Sequence, residues 1–200
     1  MIHLSHYVTD DQGNIEDFQS AINTALNAKQ PLVLDANVFI SASQANFVIP
    51  VGETLEIIGR RYTGFELNGW NQNLFRVSGT LRLRDININR FGNVTELYEN
   101  GSIFADKVTA HTSARFTMNK AAATEDIGEI DIRDSEILGM KRYAVRIKGK
   151  NSKGIRVRNT KFHRIGSDTE LGQVVGFYVE LREDEQTLIV TGKQIGRAHV

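Results

Sequence analysis

Residues 80–85, Thr-Leu-Arg-Leu-Arg-Asp, carry the pattern that predicts the fold of this chain. Leu81 and Leu83 alternate with arginines, which is typical of a β-strand with one buried face and one face in water. The pattern recurs in residues 54–59, 129–134 and 154–159, with apolar residues at the second and fourth places and Gly, Asp or Asn at the end. A looser copy begins at Ser102 and closes at Asp106.

These copies repeat at a nearly regular interval. Their closing residues stand at 59, 85, 106, 134 and 159, so the interval is 21 to 28 residues. Such a period is typical of a solenoid, in which each coil has too little apolar surface to fold alone and stacked coils bury a continuous core. The alternative is a β-sandwich, which joins neighbouring strands by hairpin turns. Repetition in the same register favours parallel stacking.

Each coil is predicted to contain three strands. A second alternating segment follows the closing residue at 86–88, 135–137 and 160–162, and Asp or Asn at the corner suits a tight left-handed turn. A third strand lies at 73–78, 115–118 and 144–148. Its predicted inward pairs are Phe75/Val77, Phe116/Met118 and Val145/Ile147, which leaves Arg76/Ser78, Arg115/Thr117 and Arg146/Lys148 facing outward.

One amphipathic helix is predicted before the strands, in residues 14–28. Ile15, Phe18 and Ile22 recur at the spacing of one helix face. Asn14 is a favourable N-cap, and the two acidic residues of the first turn complement the helix dipole.

The composition excludes several classes of protein. The 24 Lys+Arg balance 24 Asp+Glu, whereas a dedicated nucleic-acid-binding protein carries a basic excess. The absence of cysteine excludes a disulfide scaffold, a thiolate zinc site and a cysteine nucleophile. No apolar run approaches the roughly 18 residues of a membrane span. The N-terminal residues lack the pattern of a signal peptide.

Three segments are predicted along the chain: an N-terminal segment with the helix in 1–30, the coils of the solenoid in 31–194, and a non-native tail in 195–200. The tail, Ile-Gly-Arg-Ala-His-Val, matches the translation of a common sequencing-adapter oligonucleotide, and Gln194 fits the preceding bases of that adapter. We therefore exclude the tail from the fold. We expect the natural protein to continue beyond Gln194, so that the coils are an incomplete solenoid.

The helix, the short strand at 32–34 and the stretch Ile49-Pro50-Val51-Gly52-Glu53-Thr54-Leu55 follow one another in a distinctive order. With the coils that end at Asp85, Asp134 and Asn159, they resemble right-handed parallel β-helix proteins of the pectate-lyase-like type, and bacteriophage tailspike depolymerases in particular. The resemblance implies an all-β fold: a right-handed single-stranded parallel β-helix with an N-terminal capping α-helix. Such a cap would cover the open end, whose strand edges otherwise invite aggregation.

The resemblance also implies a function. The chain would bind and degrade a bacterial surface polysaccharide, as a hydrolase or a lyase, within a homotrimer in a virion tail or outside the cell. The alternative is a non-catalytic β-helix that binds glycan, or serves as a structural spacer, in a tail or a cell-surface adhesin. Neither nucleic acid nor a membrane is an expected partner, and no cofactor or metal is expected.

The outward residues of the third strand are the predicted substrate-binding residues, because β-helix enzymes bind polysaccharide along one sheet. Arg76, Arg115 and Arg146, with Lys148, would form a basic row that binds the carboxylates of an acidic glycan. The alternative is a solvated, charged sheet face. Arg146-Ile147-Lys148 also matches a substrate-binding tripeptide of polygalacturonases, whose other motifs are absent from the coils just upstream. Trp70 is predicted to lie in a loop, where it stacks on a sugar or packs against the coil.

Glycoside hydrolysis needs two carboxylates that face the same sugar. Glu180 and Asp184 are the candidates, with Asp168, Glu170 and Glu183 nearby in the sequence. The alternative for each of them is a surface charge.

Overall fold

The chain folds into a parallel β-solenoid, as the repeated pattern predicts. The computed structural model of the protein describes residues 1–8, 12–41, 46–60, 63–68, 73–111, 114–119, 127–140, 143–149, 154–163, 165, 177–181 and 188–191. Within these ranges it contains one α-helix, a short 3-10 turn at Leu4–His6 and twenty-one β-strands.

The elements succeed one another along the chain with short connections. The helix, α1, spans Ile15–Ala28. The strands are β1 Ile2–His3, β2 Gln12–Gly13, β3 Leu32–Leu34, β4 Asn37–Ser41, β5 Phe47–Ile49, β6 Thr54–Gly59, β7 Gly64–Asn68, β8 Asn73–Val77, β9 Thr80–Arg84, β10 Asn87–Asn89, β11 Asn93–Leu97, β12 Ser102–Asp106, β13 Thr109–His111, β14 Arg115–Asn119, β15 Ile130–Arg133, β16 Glu136–Leu138, β17 Tyr143–Gly149, β18 Ile155–Arg158, β19 Lys161–His163, β20 Phe177–Leu181 and β21 Leu188–Thr191.

The strands form three sheets. Sheet A has eight strands, in the order β1-β3-β6-β9-β12-β15-β18-β21. Sheet B has seven, in the order β2-β4-β7-β10-β13-β16-β19, and sheet C has six, in the order β5-β8-β11-β14-β17-β20. From β3 onward the chain passes from sheet A to sheet B to sheet C and back, and each strand pairs in parallel with its counterpart on the next coil. This is the topology of a solenoid, and it excludes the sandwich alternative.

The core of sheet A is the one predicted from the alternating pattern. Leu81 is level with Leu55 on one neighbouring strand and with Ile103 on the other, and the column continues through Ile130 and Ile155. All five side chains are buried. Because each coil covers the apolar face of the next, the column removes from water a surface that no single coil could bury.

The corners between sheets A and B lie in the left-handed region of backbone conformation. Asp85, Asp134 and Asn159 have φ of 55°, 49° and 45°, which confirms the predicted role of the closing Asp and Asn residues. In the looser copy the left-handed residue is Lys107, with φ of 54°, so the predicted closing residue Asp106 was wrong by one position. Asp106 is instead the last residue of β12.

Sheet C differs from the prediction in its register. In β8, β11 and β14 the second and third residues are both buried, so the strict alternation breaks there. Thr117, predicted to face outward, is fully buried and is level with Phe75 two strands away and with Val145 on the next strand. Its hydroxyl has no hydrogen-bond partner in the part of the chain that the structure describes. The strand β11 was not predicted at all.

The predicted helix is confirmed, and it packs its apolar face against the solenoid. The side chain of Asn14 accepts hydrogen bonds from the backbone of Glu16 and Asp17, and the Asp17 carboxylate accepts from the Asn14 backbone, which completes a capping box. Phe18 is fully buried, and its ring meets those of Phe47 and Phe65 at centroid distances of 4.7 and 5.0 Å. These contacts join the helix to sheets C and B.

The residues before the helix also belong to the sheets, which the sequence pattern did not predict. Strand β1 pairs with β3, and β2 pairs with β4. Asp35 holds the segment: its carboxylate lies 2.9 Å from His3 Nδ1 and accepts hydrogen bonds from the backbone and hydroxyl of Ser5. Burial raises the pKa of Asp35, but these hydrogen bonds outweigh it and hold the pKa below 3.8.

The outer face of sheet A is a ladder of ion pairs between coils. Its arginines are about half exposed, so each pair adds at most about 1 kcal/mol. The guanidinium of Arg82 lies 4.4 Å from the ring centroid of Phe104. The ion pairs are Arg84–Glu56 at 3.5 Å, Arg133–Asp106 at 3.1 Å, Arg158–Asp131 at 2.6 Å, and Arg156–Glu129. The charged side chains of this face therefore pair with one another between neighbouring coils.

Candidate functional site

The predicted basic row on sheet C is divided between two columns. Arg76 and Arg146 share one outward column, in which Glu96 and Met118 stand between them. Arg115 lies in a different column, level with Asn93 on β11. The three arginines therefore do not form a single row, because β14 is shifted relative to its predicted register.

A hydrogen-bonded network joins three strands of this face. Arg115 Nη1 donates to Asn93 Oδ1 at 3.3 Å, and Asn93 Nδ2 donates to Asn73 Oδ1 at 2.6 Å. Asn73 Nδ2 and the Tyr98 hydroxyl both donate to Glu96 Oε2, at 2.8 and 2.7 Å. We call these five residues the sheet C network. It orients polar side chains from β8, β11 and β14 on one surface.

Arg76 lies against the sheet C network, and Arg115, a member of the network, also lies near a residue of the next coil. Arg76 Nε is 3.9 Å from Glu96 Oε2, and the Arg76 side chain remains 48% exposed. The guanidinium of Arg115 is 6.0 Å from the ring centroid of Tyr143, within the range of a cation–π contact. Both arginines are thus held by neighbours on the next coil.

Arg146 differs from them. It is half-buried on β17, and among the residues that the structure describes no carboxylate lies within ion-pair distance of its guanidinium. A half-buried arginine without an anionic partner has five donors available for a ligand. Of the predicted binding residues, Arg146 is the one best placed to receive a carboxylate.

The phenol of Tyr98 has a raised pKa. Burial raises the pKa of Tyr98, and the hydrogen bond to Glu96 and the negative charge of that carboxylate raise it further, to about 12 from 10.0, while Arg76 opposes the shift. The native fold therefore favours the neutral phenol, which can donate to Glu96.

A Tyr98→Phe variant is expected to change how stability depends on pH. In the wild type, Tyr98 contributes stability that is complete below pH 10.0 and is lost as the pH rises toward about 12, because the unfolded chain releases the phenolic proton first. The difference in urea midpoint between wild type and variant should therefore be constant below pH 10 and change between about pH 10 and 12. Parallel loss of stability in both proteins across that range would contradict the assignment.

The remaining predicted residues lie near the C-terminal end of sheet C or outside the described residues. Lys148 is level with Glu180 on the paired strands β17 and β20. Trp70 and Asp184 fall outside the described residues, as do Asp168, Glu170 and Glu183. Their proposed roles stay predictions.

The outer face of sheet B carries a groove that sequence reasoning missed. One part, of about 290 Å³, is lined by residues that include Phe39, Asn87 and Thr109. The next part, of about 330 Å³, is lined by residues that include Thr109, Glu136 and Lys161. The available signal was the polar residues that alternate with buried apolar ones in the second strand of the coils, such as Asn87 and Asn89 around Ile88.

Neither a metal site nor a membrane-spanning helix is found among the described residues. Within those ranges no three His, Asp or Glu side chains come together as a metal site. No helix there has both the length and the hydrophobicity that crossing a membrane requires.

Compared with protein families, curated proteins and solved structures, the chain has no match. The fold places it among parallel β-solenoid proteins. The outer faces of the three sheets are therefore the basis for any functional assignment.

Proposed function

We propose that this chain binds a bacterial surface polysaccharide through the outer face of sheet C, in the manner of the phage tailspike proteins that its sequence resembles. The observation that carries the proposal is Arg146, whose half-buried guanidinium has no anionic partner in the described part of the chain. Arginine binds a carboxylate through two parallel hydrogen bonds, which suits a uronic acid or a similar acidic sugar.

The surroundings of Arg146 support this proposal. Arg76 lies in the same column, three strands away, and the sheet C network holds amide, hydroxyl and carboxylate groups on the strands between β8 and β14 of this face. Sugar hydroxyls both donate and accept hydrogen bonds, so such a mixed surface is complementary to them. Lys148, two residues further along β17, and Trp70 are proposed to extend the surface.

Degradation of the polysaccharide is the second part of the proposal, and it rests on the resemblance. On sheet C, Glu96 is the one carboxylate whose side chain the structure describes, and it already accepts from Asn73 and Tyr98. Glu180 and Asp184 are the proposed catalytic carboxylates of a hydrolase or lyase. The alternative is a non-catalytic adhesin or structural spacer. The hydrogen bonds that Glu96 already accepts from Asn73 and Tyr98 favour this alternative, because they engage the carboxylate in the fold.

The architecture belongs to the same proposal. We infer a right-handed solenoid in which α1 caps the N-terminal end, an inference supported by the packing of Phe18 between Phe47 and Phe65. The protein is proposed to act as a homotrimer in a virion tail or outside the cell, without nucleic acid or membrane as partner.

The test is an Arg146→Ala variant assayed against immobilised capsular and O-antigen polysaccharides. Loss of a charged, bidentate contact should weaken binding to an acidic polysaccharide about tenfold or more. Arg133→Ala is the matched control, because Arg133 is also an outward arginine but is paired with Asp106 on sheet A. Equal affinity of both variants and the wild type would refute the role of Arg146.

The same polysaccharides decide between enzyme and adhesin. Release of reducing ends, or of unsaturated sugars that absorb ultraviolet light, by the wild type and not by a Glu180→Gln variant would support degradation. Retained binding without either product would establish the non-catalytic alternative.

A further inference from the structure

The groove on sheet B lies on a different sheet from the proposed polysaccharide surface of sheet C. Its two parts both have Thr109 in their lining, and together they extend from β4 to β19. Five strand spacings of about 4.8 Å give it a length of about 24 Å. We call this depression the sheet B groove. It is long enough to hold several sugar rings in a line.

The end of the sheet B groove near the helix combines an exposed ring with amides. Phe39 is 42% exposed, although most of the phenylalanine rings that the structure describes are buried. It is level with Glu66, which is level with Asn89, and Asn37 and Asn87 line the same part. An exposed ring beside amides offers a stacking surface together with donors and acceptors, which is the chemistry that a neutral sugar requires.

Gly64 lies at the floor of this part. A Cβ at Gly64 would lie 2.1 Å from the carbonyl oxygen of Asn87, so the coils approach too closely there for any side chain. The backbone N–H of Gly64 donates to Asn37 Oδ1 at 3.2 Å, which fixes this amide beside the floor.

The other end of the sheet B groove is lined by two lysines together with the carboxylates of Asp134 and Glu136. Lys107 and Lys161 line it and have no ion pair with any residue that the structure describes. The acidic residues beside them do have partners: Asp134 Oδ1 accepts from Asn159 at 2.6 Å, and Glu136 lies 3.6 Å from His163. The lysines are therefore the cationic groups of this part that have no ion-pair partner among the described residues.

We propose that the sheet B groove binds a linear oligosaccharide, with a neutral sugar on Phe39 and an acidic sugar at Lys107 and Lys161. The glycan class rests on the proposed function of sheet C, but the site is separate from the sheet C network and from Arg146. The two ends bind different sugars, so the groove also fixes the direction in which the glycan lies.

The experiment uses the full chain and a printed array of bacterial capsular and O-antigen polysaccharides. Phe39→Ala and the double variant Lys107→Ala/Lys161→Ala are compared with the wild type. The charge-matched control is Arg84→Ala/Arg133→Ala, which also removes two positive charges but on sheet A. Val51→Ala controls for the loss of an exposed apolar side chain, because Val51 is 63% exposed in the turn between β5 and β6.

The wild type should bind at least one acidic polysaccharide, and each groove variant should bind it about tenfold less tightly while both controls bind normally. The wild type should also prefer that polysaccharide to its carboxyl-reduced form, and the double lysine variant should lose this preference. Normal binding by both groove variants overturns the inference, as does an unchanged preference in the lysine variant.

Arg146→Ala separates this inference from the proposed function. Weak binding by the groove variants with normal binding by Arg146→Ala supports the groove and refutes the sheet C proposal. The reverse result refutes the groove alone. Absence of binding to every polysaccharide on the array would refute both. Circular dichroism and thermal unfolding of each variant confirm that its fold is intact.

Discussion

Replacing Phe18 with alanine is expected to lower the free energy of unfolding by about 3–5 kcal/mol, the usual loss for truncation of a buried phenylalanine. Phe18 is fully buried, and its ring lies edge-on to Phe47 on sheet C and to Phe65 on sheet B. Those rings in turn contact Phe75 at 6.0 and 5.9 Å. The substitution would therefore leave a cavity where the helix meets both sheets. Urea unfolding followed by circular dichroism measures the loss.

Phe39→Ala is the matched control for this prediction, since it removes the same side chain from an exposed position. We expect it to cost less than about 1 kcal/mol. If α1 caps the solenoid as proposed, the Phe18 variant should also aggregate at lower concentration, because release of the helix exposes strand edges. Equal stability of the two variants would mean that the helix is not anchored by Phe18.

Replacing Gly59 with alanine is expected to destabilise the protein by about 3 kcal/mol, at the upper end of the cost of overpacking. A Cβ at Gly59 would lie 2.0 Å from the carbonyl oxygen of Asp85 and 2.9 Å from its carbonyl carbon. Both atoms belong to the backbone of the next coil, so they cannot rotate away. The coils must separate at this corner, and thermal unfolding should record the loss.

Gly13→Ala is the control for backbone effects of the same substitution. Its Cβ would meet a methyl group of Val8 at 2.9 Å, the end of a side chain that can shift. We expect a loss below about 1 kcal/mol there. A loss at Gly59 no greater than at Gly13 would show that the corner tolerates a side chain.

Gly59 also shows how far the sequence pattern could be interpreted. The closing Asp and Asn residues were predicted to serve a left-handed turn, and Asp85 and Asn159 confirm that role. Gly59 does not have a positive φ, and glycine is needed there because the neighbouring coil approaches so closely. The local pattern predicted that the strand ends at Gly59. It could not predict why glycine is required there, because the contact responsible is with Asp85, 26 residues later in the sequence.

The two outer faces differ in how much the sequence could predict. Arg146 was identified from its outward place in an alternating strand, and that place is observed. The outward position predicted for Thr117 was wrong because two consecutive residues of β14, Phe116 and Thr117, are both buried. Strict alternation therefore assigns the residues after Phe116 to the opposite face of the sheet. The sheet B groove was not predicted, because Asn87, Thr109 and Glu136 come from different coils and each strand alone shows an ordinary polar position.

By itself, the sequence determined that the chain forms stacked coils, that a helix precedes them, and which apolar residues fill the core of sheet A. These features follow from alternation, capping and repeat length, which are local properties. Only the tertiary structure decided the register of sheet C and the partners of the charged residues. Arg76 has Glu96 beside it, and Arg146 has no such neighbour among the residues that the structure describes, because a partner on the next coil depends on how the coils stack. The surface left for a ligand is therefore a property of the stack rather than of any one strand.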